Sequence, residues 1–341
     1  MILRVLCKFD FFYKTPYMNS EKNQPRSLLM LGSSMLIFGT IGIFRRYIPL
    51  SSGLLAFARG LIGTAFLCAV MLVRRVLSAS AAQMKTEDSG REQQPQPAGD
   101  RSDRFRRGAG SRPLNIPVQI FILLIISGAL IGINWILLFE AYNYTTVATA
   151  TLCYYMEPII VILLSPLVFK EKLTIKKAAC TAAALVGMFL VSGAAGEGLP
   201  QGNALRGILY GLGAAVLYAA VVIMNKKIRD IDPYIKTILQ LGSAAVCLLP
   251  YLIGAGLFTG VSLDGNSILM LLIVGLVHTG IAYTLYFGST DGLRAQTIAL
   301  FSYIDPVSAL LLSMAFLHEP MTAAGICGAV LVLGAALVSE L

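Results

Sequence analysis

The sequence predicts an all-α integral membrane protein of ten transmembrane helices, arranged as two inverted five-helix repeats. Apolar residues make up 56% of the chain and charged residues 13%, about half the charged share of a soluble domain. The apolar residues fall in runs close to the roughly 20 residues that an α-helix needs to cross a hydrocarbon core, without the alternation of a membrane β-barrel. A Tyr-x-acid-Pro pattern in the fourth run recurs in the ninth.

The runs place spans at 27–44, 52–73, 117–141, 146–169, 175–193, 204–225, 234–258, 267–289, 295–317 and 322–339. Residues 1–26 form a basic N-terminal segment with no small-residue cleavage site after a short apolar core, so no cleaved signal peptide is expected. Met18-Asn-Ser-Glu-Lys is an alternative start. The connection 78–115 is rich in Gln, Ser, Gly, Arg and Pro. With so few apolar residues it cannot bury a core, and it is expected to be a disordered loop.

The net charge is +9, which invites a nucleic-acid reading. The positions of the charges argue for a topology signal instead. Twenty-three of the 27 basic residues fall in segments on one side of the predicted spans, and three (Arg45, Arg46 and Arg206) on the other. By the positive-inside rule both termini are expected in the cytoplasm, in a multi-pass protein of the cell membrane. The partners are then the bilayer and a small-molecule substrate, with no nucleic acid. Five of the six cysteines lie inside spans without Cys-x-x-Cys spacing, as packing residues rather than metal ligands or disulfides.

The repeat runs at an offset of 148 residues: Tyr155-Met-Glu157-Pro158 recurs as Tyr303-Ile-Asp305-Pro306, and seven of twenty positions are identical between 155–174 and 303–322. Gly132-Ile133 matches Gly280-Ile281, Trp135 matches Tyr283, and Phe139 matches Phe287. Arg45-Arg46 falls opposite Lys226-Lys227 at an offset of 181, the difference being close to the length of the 78–115 insert. The halves are thus 27–195 and 204–341. Five helices per repeat invert the second copy, which is the architecture of alternating-access carriers.

The chain resembles the EamA-type permeases of the drug/metabolite transporter superfamily. The residues that carry this are Glu157-Pro158 with Lys170-Glu171-Lys-Leu-Thr174, Asp305-Pro306 with His318-Glu319-Pro-Met-Thr322, and Gly39-Thr-Ile-Gly42 and Phe57-Ala-Arg59 in the first two spans. The resemblance covers about 27–341 and implies the fold. It also implies an exporter of a small metabolite, with an amino acid or similar zwitterion as the substrate class.

Ionisable groups at membrane depth are costly and are functional candidates for that reason. Glu157 and Asp305 each precede a proline (Pro158, Pro306) expected to kink its helix. Each acid is read either as the group that binds a substrate ammonium or a proton, or as a carboxylic acid satisfied by neighbouring hydroxyls. Thr149, Cys153 and Glu157 make one polar stripe, and Ser302, Asp305 and Ser308 its counterpart. His278 is either a proton-coupling group or a neutral histidine bonded to a hydroxyl. Trp135, Tyr283, Tyr155 and Tyr303 are expected to shape a cavity, with lipid-facing or interfacial packing as the alternative for the Trp135, Phe139, Tyr142 face. Arg59 could capture a carboxylate, and structural pairing with an acid such as Glu140 is the expected role. Glu171 and Glu319 are read as structural acids at the starts of the fifth and tenth spans, behind the N-caps Thr174 and Thr322.

No catalytic motif, phosphate loop or metal pair occurs in the sequence, so neither an enzyme nor a cofactor is expected. Transport would then run on a gradient, with proton coupling one route. The rival readings are an exporter of lipophilic cations and, from another class, a non-transporting sensor or scaffold.

Overall fold

A computed structural model describes residues 20–89, 116–169, 174–191, 200–228, 231–261, 263–290, 293, 301–319 and 321–340. Glu171, most of the 78–115 insert and the first part of the predicted ninth span therefore lie outside the described residues. The helices are α1 Ser20–Gly39, α2 Ile41–Arg46, α3 Ser52–Ser89, α4 Val118–Tyr144, α5 Val147–Tyr154, α6 Glu157–Phe169 and α7 Ile175–Val191. They continue with α8 Gly202–Lys227, α9 Pro233–Gly254, α10 Gly265–Leu272, a π-helical segment Ile273–Ile281, α11 Ala282–Thr290, α12 Ile304–Phe316 and α13 Ala323–Glu340.

The described residues hold no strand and seven helical stretches long and apolar enough to cross a membrane. These are the predicted spans one to four and six to eight, while spans five, nine and ten correspond to shorter apolar helices over 178–191, 304–316 and 323–335. Large apolar side chains such as Leu29, Leu61, Val118, Leu163, Leu209 and Val330 are exposed around the helices. A water-soluble surface would not carry so many, whereas lipid covers them without cost. The chain is a multi-pass membrane protein.

Two boundaries differ from the sequence reading. α3 runs to Ser89, so the expected disordered loop begins with twelve residues of helix. Ala79, Ala81, Ala82, Gln83, Met84 and Lys85 are good helix formers, and the membrane span supplies their nucleus; polarity ends the crossing but not the helix. In addition, the fourth span is not kinked but broken, as the functional site below describes.

Helix starts follow local capping chemistry. The Asp232 carboxylate accepts from the backbone N–H groups of Tyr234 and Ile235 ahead of α9, and Pro233 takes the first turn. Asp264 accepts from Ser267 N at 2.9 Å ahead of α10. The bonds from Ser267 hold this exposed carboxyl below its ordinary range. Thr322 caps α13 by accepting from Gly325 N at 3.0 Å, as the sequence predicts.

In the bundle, α4 packs on α8 and α9, α3 on α9 and the π segment, α1 on α11 and α12, α5 on α8 and α12, and α7 on α13. Glycine sets the closeness of several crossings. A Cβ on Gly187 would stand 2.7 Å from the carbonyl oxygen of Gly328, and one on Gly328 would meet that of Gly187. Backbone cannot yield to such a contact, so α7 and α13 lie flush there. Between α3 and the π segment, Gly63 rests on Thr279, Gly275 on Ile62 and Gly280 on Phe66.

Gly187→Ala and Gly328→Ala should each destabilise the protein by about 1–3 kcal/mol, the usual cost of overpacking. Gly334→Ala, in α13 with open space beside it, should be neutral or slightly stabilising. Denaturant titration of purified protein in bicelles compares the three; equal losses at all three positions would contradict the packing.

Candidate functional site

The repeated acids stand at two helix breaks. α5 ends at Tyr154, where the backbone N–H of Tyr155 still bonds to Thr151 O at 2.9 Å and that of Met156 to Cys153 O at 3.2 Å. α6 begins at Glu157. Pro158 thus lies in a first turn, where its missing N–H leaves no bond unmade. The expected kink is a break because one helix ends at Tyr154 and the next starts at Glu157, one residue before the proline. The second copy does the same: Tyr303 precedes α12, with Asp305 and Pro306 in the first turn. Each acid therefore sits in the first turn of a short helix.

The two breaks meet. The Tyr155 hydroxyl donates to Asp305 Oδ2 at 2.6 Å, 150 residues away in sequence. Gly39 of α1 lies against the same turn: a Cβ there would overlap Ser308 Oγ and the carbonyl oxygen of Asp305. That carbonyl also accepts from the Ser308 hydroxyl at 2.8 Å.

Aromatic side chains surround this junction. Tyr154 packs edge-on against Tyr155 with ring centroids 5.9 Å apart and against Tyr218 of α8 at 5.5 Å. Glu157 and Asp305 both lie in electrostatic reach of Tyr154 and Tyr218. Tyr283 meets Phe38 edge-on at 5.3 Å, and Asp305 and Arg59 both act on it. Trp135 is 5% exposed, Phe139 0% and Tyr142 3%, so this face of α4 points into the protein rather than to lipid. Tyr303 is half-buried against the cluster formed by Cys153, Met156, Ile159 and the inner faces of α7 and α13.

Arg59 is where the sequence reading went furthest astray. It does not pair with Glu140, whose carboxylate accepts from Asn143 at 3.3 Å. Instead Arg59 is 5% exposed, donates from Nε to Thr279 Oγ1 at 2.8 Å, and stands 4.2 Å above the Trp135 ring. Its electrostatic neighbours are Tyr283, Tyr154, Tyr142 and Asp305. The reason is register: the α3 glycine Gly63 admits the π segment closely enough to bring Thr279 under the guanidinium.

His278, beside Thr279 in that segment, is 1% exposed. Its Nε2 lies 2.8 Å from the Thr40 hydroxyl and its Nδ1 3.3 Å from Ile273 O, with Phe44 packed edge-on at 4.9 Å. Either neutral tautomer satisfies one of these contacts, so the ring needs no charge to be accommodated.

Glu319 has a different partner from the one expected. Rather than serving α13, its Oε2 accepts from Val147 N at the start of α5, at 2.9 Å. Its Oε1 pairs with Arg46 at 2.9 Å, and Arg46 also reaches Thr145 O at 3.4 Å. An open surface cleft of about 600 Å³ lined by Arg46, Tyr47, Pro49, Leu263, Asp264 and Ser267 adjoins this clasp. The cleft shares no residue with the buried cluster, where the ionisable and aromatic groups converge. Tyr154, Tyr218, Thr40 and Thr279 complete that cluster without having been singled out in the sequence. Tyr154 and Thr279 adjoin repeated residues and Thr40 lies within Gly39-Thr-Ile-Gly42, but nothing in the sequence marks Tyr218.

Residues 106–193 and 205–340 match the model of the EamA-like transporter family. The chain is 29% identical over 297 residues to an uncharacterized transporter of Bacillus subtilis, YxxF, spanning 87% of this chain and 84% of that protein. It is 30% identical over 179 residues to a Salmonella typhimurium protein named "Probable amino-acid metabolite efflux pump", spanning 50% of this chain and 59% of that one. A solved crystal structure shares the fold with a TM-score of 0.58 at 21% identity, over 92% of this chain and 95% of that one.

A double-mutant cycle of Tyr155→Phe and Asp305→Asn, read by denaturant titration in bicelles, should give a coupling of about 1.5–3 kcal/mol, the range for a hydrogen bond to a charged group. A coupling under about 0.5 kcal/mol would mean that the two breaks are not joined through this bond.

Proposed function

The chain belongs to the EamA-like transporter family, and on that premise we propose that it exports an amino acid or a similar small zwitterion by alternating access. The observation that carries this reading is the bond between Tyr155 and Asp305. It places an acid and an aromatic hydroxyl, one from each half, at matching helix breaks inside the membrane, the arrangement in which carriers hold their substrate.

The two halves are 27–195 and 204–341, with opposite orientation and both termini in the cytoplasm of a cell-membrane protein. Helix packing supports the inverted repeat. Under the repeat offset, α1 on α11 mirrors α8 on α4, and α1 on α12 mirrors α8 on α6. Likewise α3 on the π segment mirrors α9 on α4, while α3–α9 and α7–α13 join equivalent helices. Asp305 and Glu157 would bind the substrate ammonium or a coupling proton, while Trp135, Tyr155, Tyr283 and Tyr303 shape the cavity. His278 is a second candidate for proton coupling. The printed name of the Salmonella typhimurium relative supports the amino-acid class. A lipophilic cation fits less well, because Arg59 places a buried cation among the same aromatics.

Counterflow in proteoliposomes tests the reading. Vesicles preloaded with unlabelled amino acids should accumulate a labelled amino acid, and Glu157→Gln/Asp305→Asn should abolish the accumulation while the protein stays folded. Full counterflow in the double variant would remove the acids from the mechanism. Failure with every amino acid but success with lipophilic cations would overturn the substrate class.

A further inference from the structure

Arg59 is a buried cation whose bonding is incomplete. The Thr279 hydroxyl takes its Nε–H at 2.8 Å and sends its own hydrogen to Val274 O at 3.2 Å. Trp135 occupies one face of the guanidinium at 4.2 Å, and Phe139 stands at 6.0 Å. One edge and one face are thereby used. Among the described residues, the remaining edge, with Nη1 and Nη2 side by side, carries no hydrogen bond.

The acid in electrostatic reach of this cation, Asp305, makes no contact ion pair with it among the described residues. Asp305 spends Oδ2 on Tyr155 instead. Arg59 and Asp305 thus lie in electrostatic reach of each other, and both of Tyr154 and Tyr283, without touching. Leaving a guanidinium in that state at membrane depth is costly. The cost falls when a carboxylate meets the fork, which presents two parallel N–H donors in the geometry a carboxylate accepts.

We propose that Arg59 is the carboxylate anchor of the site: its Nη1–Nη2 fork takes the carboxylate of a zwitterionic substrate whose ammonium group lies at the Asp305–Tyr155 pair. This rests on the amino-acid reading of the same site and adds a selectivity rule. A substrate must present both charges, so an amine lacking the carboxylate is a poor ligand.

The chain has a single tryptophan, and it is the one beneath Arg59. Its fluorescence therefore reports on the guanidinium directly, in intact protein and without transport. Purified full-length protein in nanodiscs is titrated with L-phenylalanine, phenethylamine, which lacks the carboxylate, and hydrocinnamate, which lacks the amine. The wild type should bind L-phenylalanine at least about tenfold more tightly than phenethylamine, as expected for a charged two-bond contact. Arg59→Gln should bring the two ligands to within about twofold by weakening L-phenylalanine and hydrocinnamate alone. Arg59→Lys, which keeps the charge but not the fork, should fall between.

Wild-type protein that binds phenethylamine as tightly as L-phenylalanine overturns the proposal, and it does so even if Arg59→Gln fails to fold. So does an Arg59→Gln variant that keeps the wild-type preference or weakens both ligands equally; in those cases the amino-acid reading stands and only the anchor is lost. Wild-type protein that binds neither phenethylamine nor any amino acid overturns both.

Discussion

The hydrocarbon around the helices offers no hydrogen bonds, so a buried polar group is costly unless it finds a partner within the protein, and the bond between Tyr155 and Asp305 is where that constraint acts most sharply. Two helices are broken at the same point of a repeated sequence, and both breaks expose backbone and an acid. Neither break is self-sufficient. The hydroxyl that one supplies satisfies the carboxylate that the other supplies, and the glycine at position 39 lets a third helix close over the turn. The packing of α1 on α12 and of α5 on α12 follows from this junction.

The second organising feature is the surface where α3 meets the π-helical segment. A π turn widens the helix and moves its side chains out of ordinary register. Here it presents Thr279 to Arg59 and His278 to Thr40 from adjacent positions. Gly63, Gly275 and Gly280 bring the two backbones together. Without that approach the Arg59 side chain would have to find its partner along its own helix or at the membrane surface. The glycines thus decide where the buried cation goes, although none of them touches it.

The architecture was legible in the sequence wherever it depends on hydropathy and repetition. The apolar runs mark the spans, and the matched Tyr-x-acid-Pro patterns mark the breaks, because proline and acid have few uses at membrane depth. The capping role of Thr322 was legible too, being local chemistry. Contacts between distant segments were not. Glu319 reads locally as the acid before α13, yet it clasps Arg46 and the start of α5, a choice made by the assembled bundle. Arg59 reads as a partner for Glu140, because in a sequence a cation is matched to the nearest acid with no clear role. Its true neighbours are a hydroxyl in a π turn and an indole face, and neither has a one-dimensional signature. The helical extension of α3 to Ser89 was missed for a related reason: low hydropathy signals the end of a membrane crossing and was read as the end of order.

The Arg46–Glu319 and Tyr155–Asp305 contacts differ in strength, and the difference has a mechanical consequence. The Arg46–Glu319 pair is partly exposed, with Arg46 40% accessible, so water and salt compete for both partners and the pair adds at most about 1 kcal/mol. The Tyr155–Asp305 bond is part-buried and short, at 2.6 Å, and it is the stronger tie. A carboxylate has lone pairs beyond those the Tyr155 hydroxyl uses. On the proposed reading, an incoming ammonium therefore adds to this bond before it needs to displace it. The same carboxylate then joins the two helix breaks and recognises the cargo. A ligand shifts an equilibrium between states only through its differential affinity for them. If the Tyr155–Asp305 contact opens in one of those states, a ligand held by the same carboxylate supplies that differential directly.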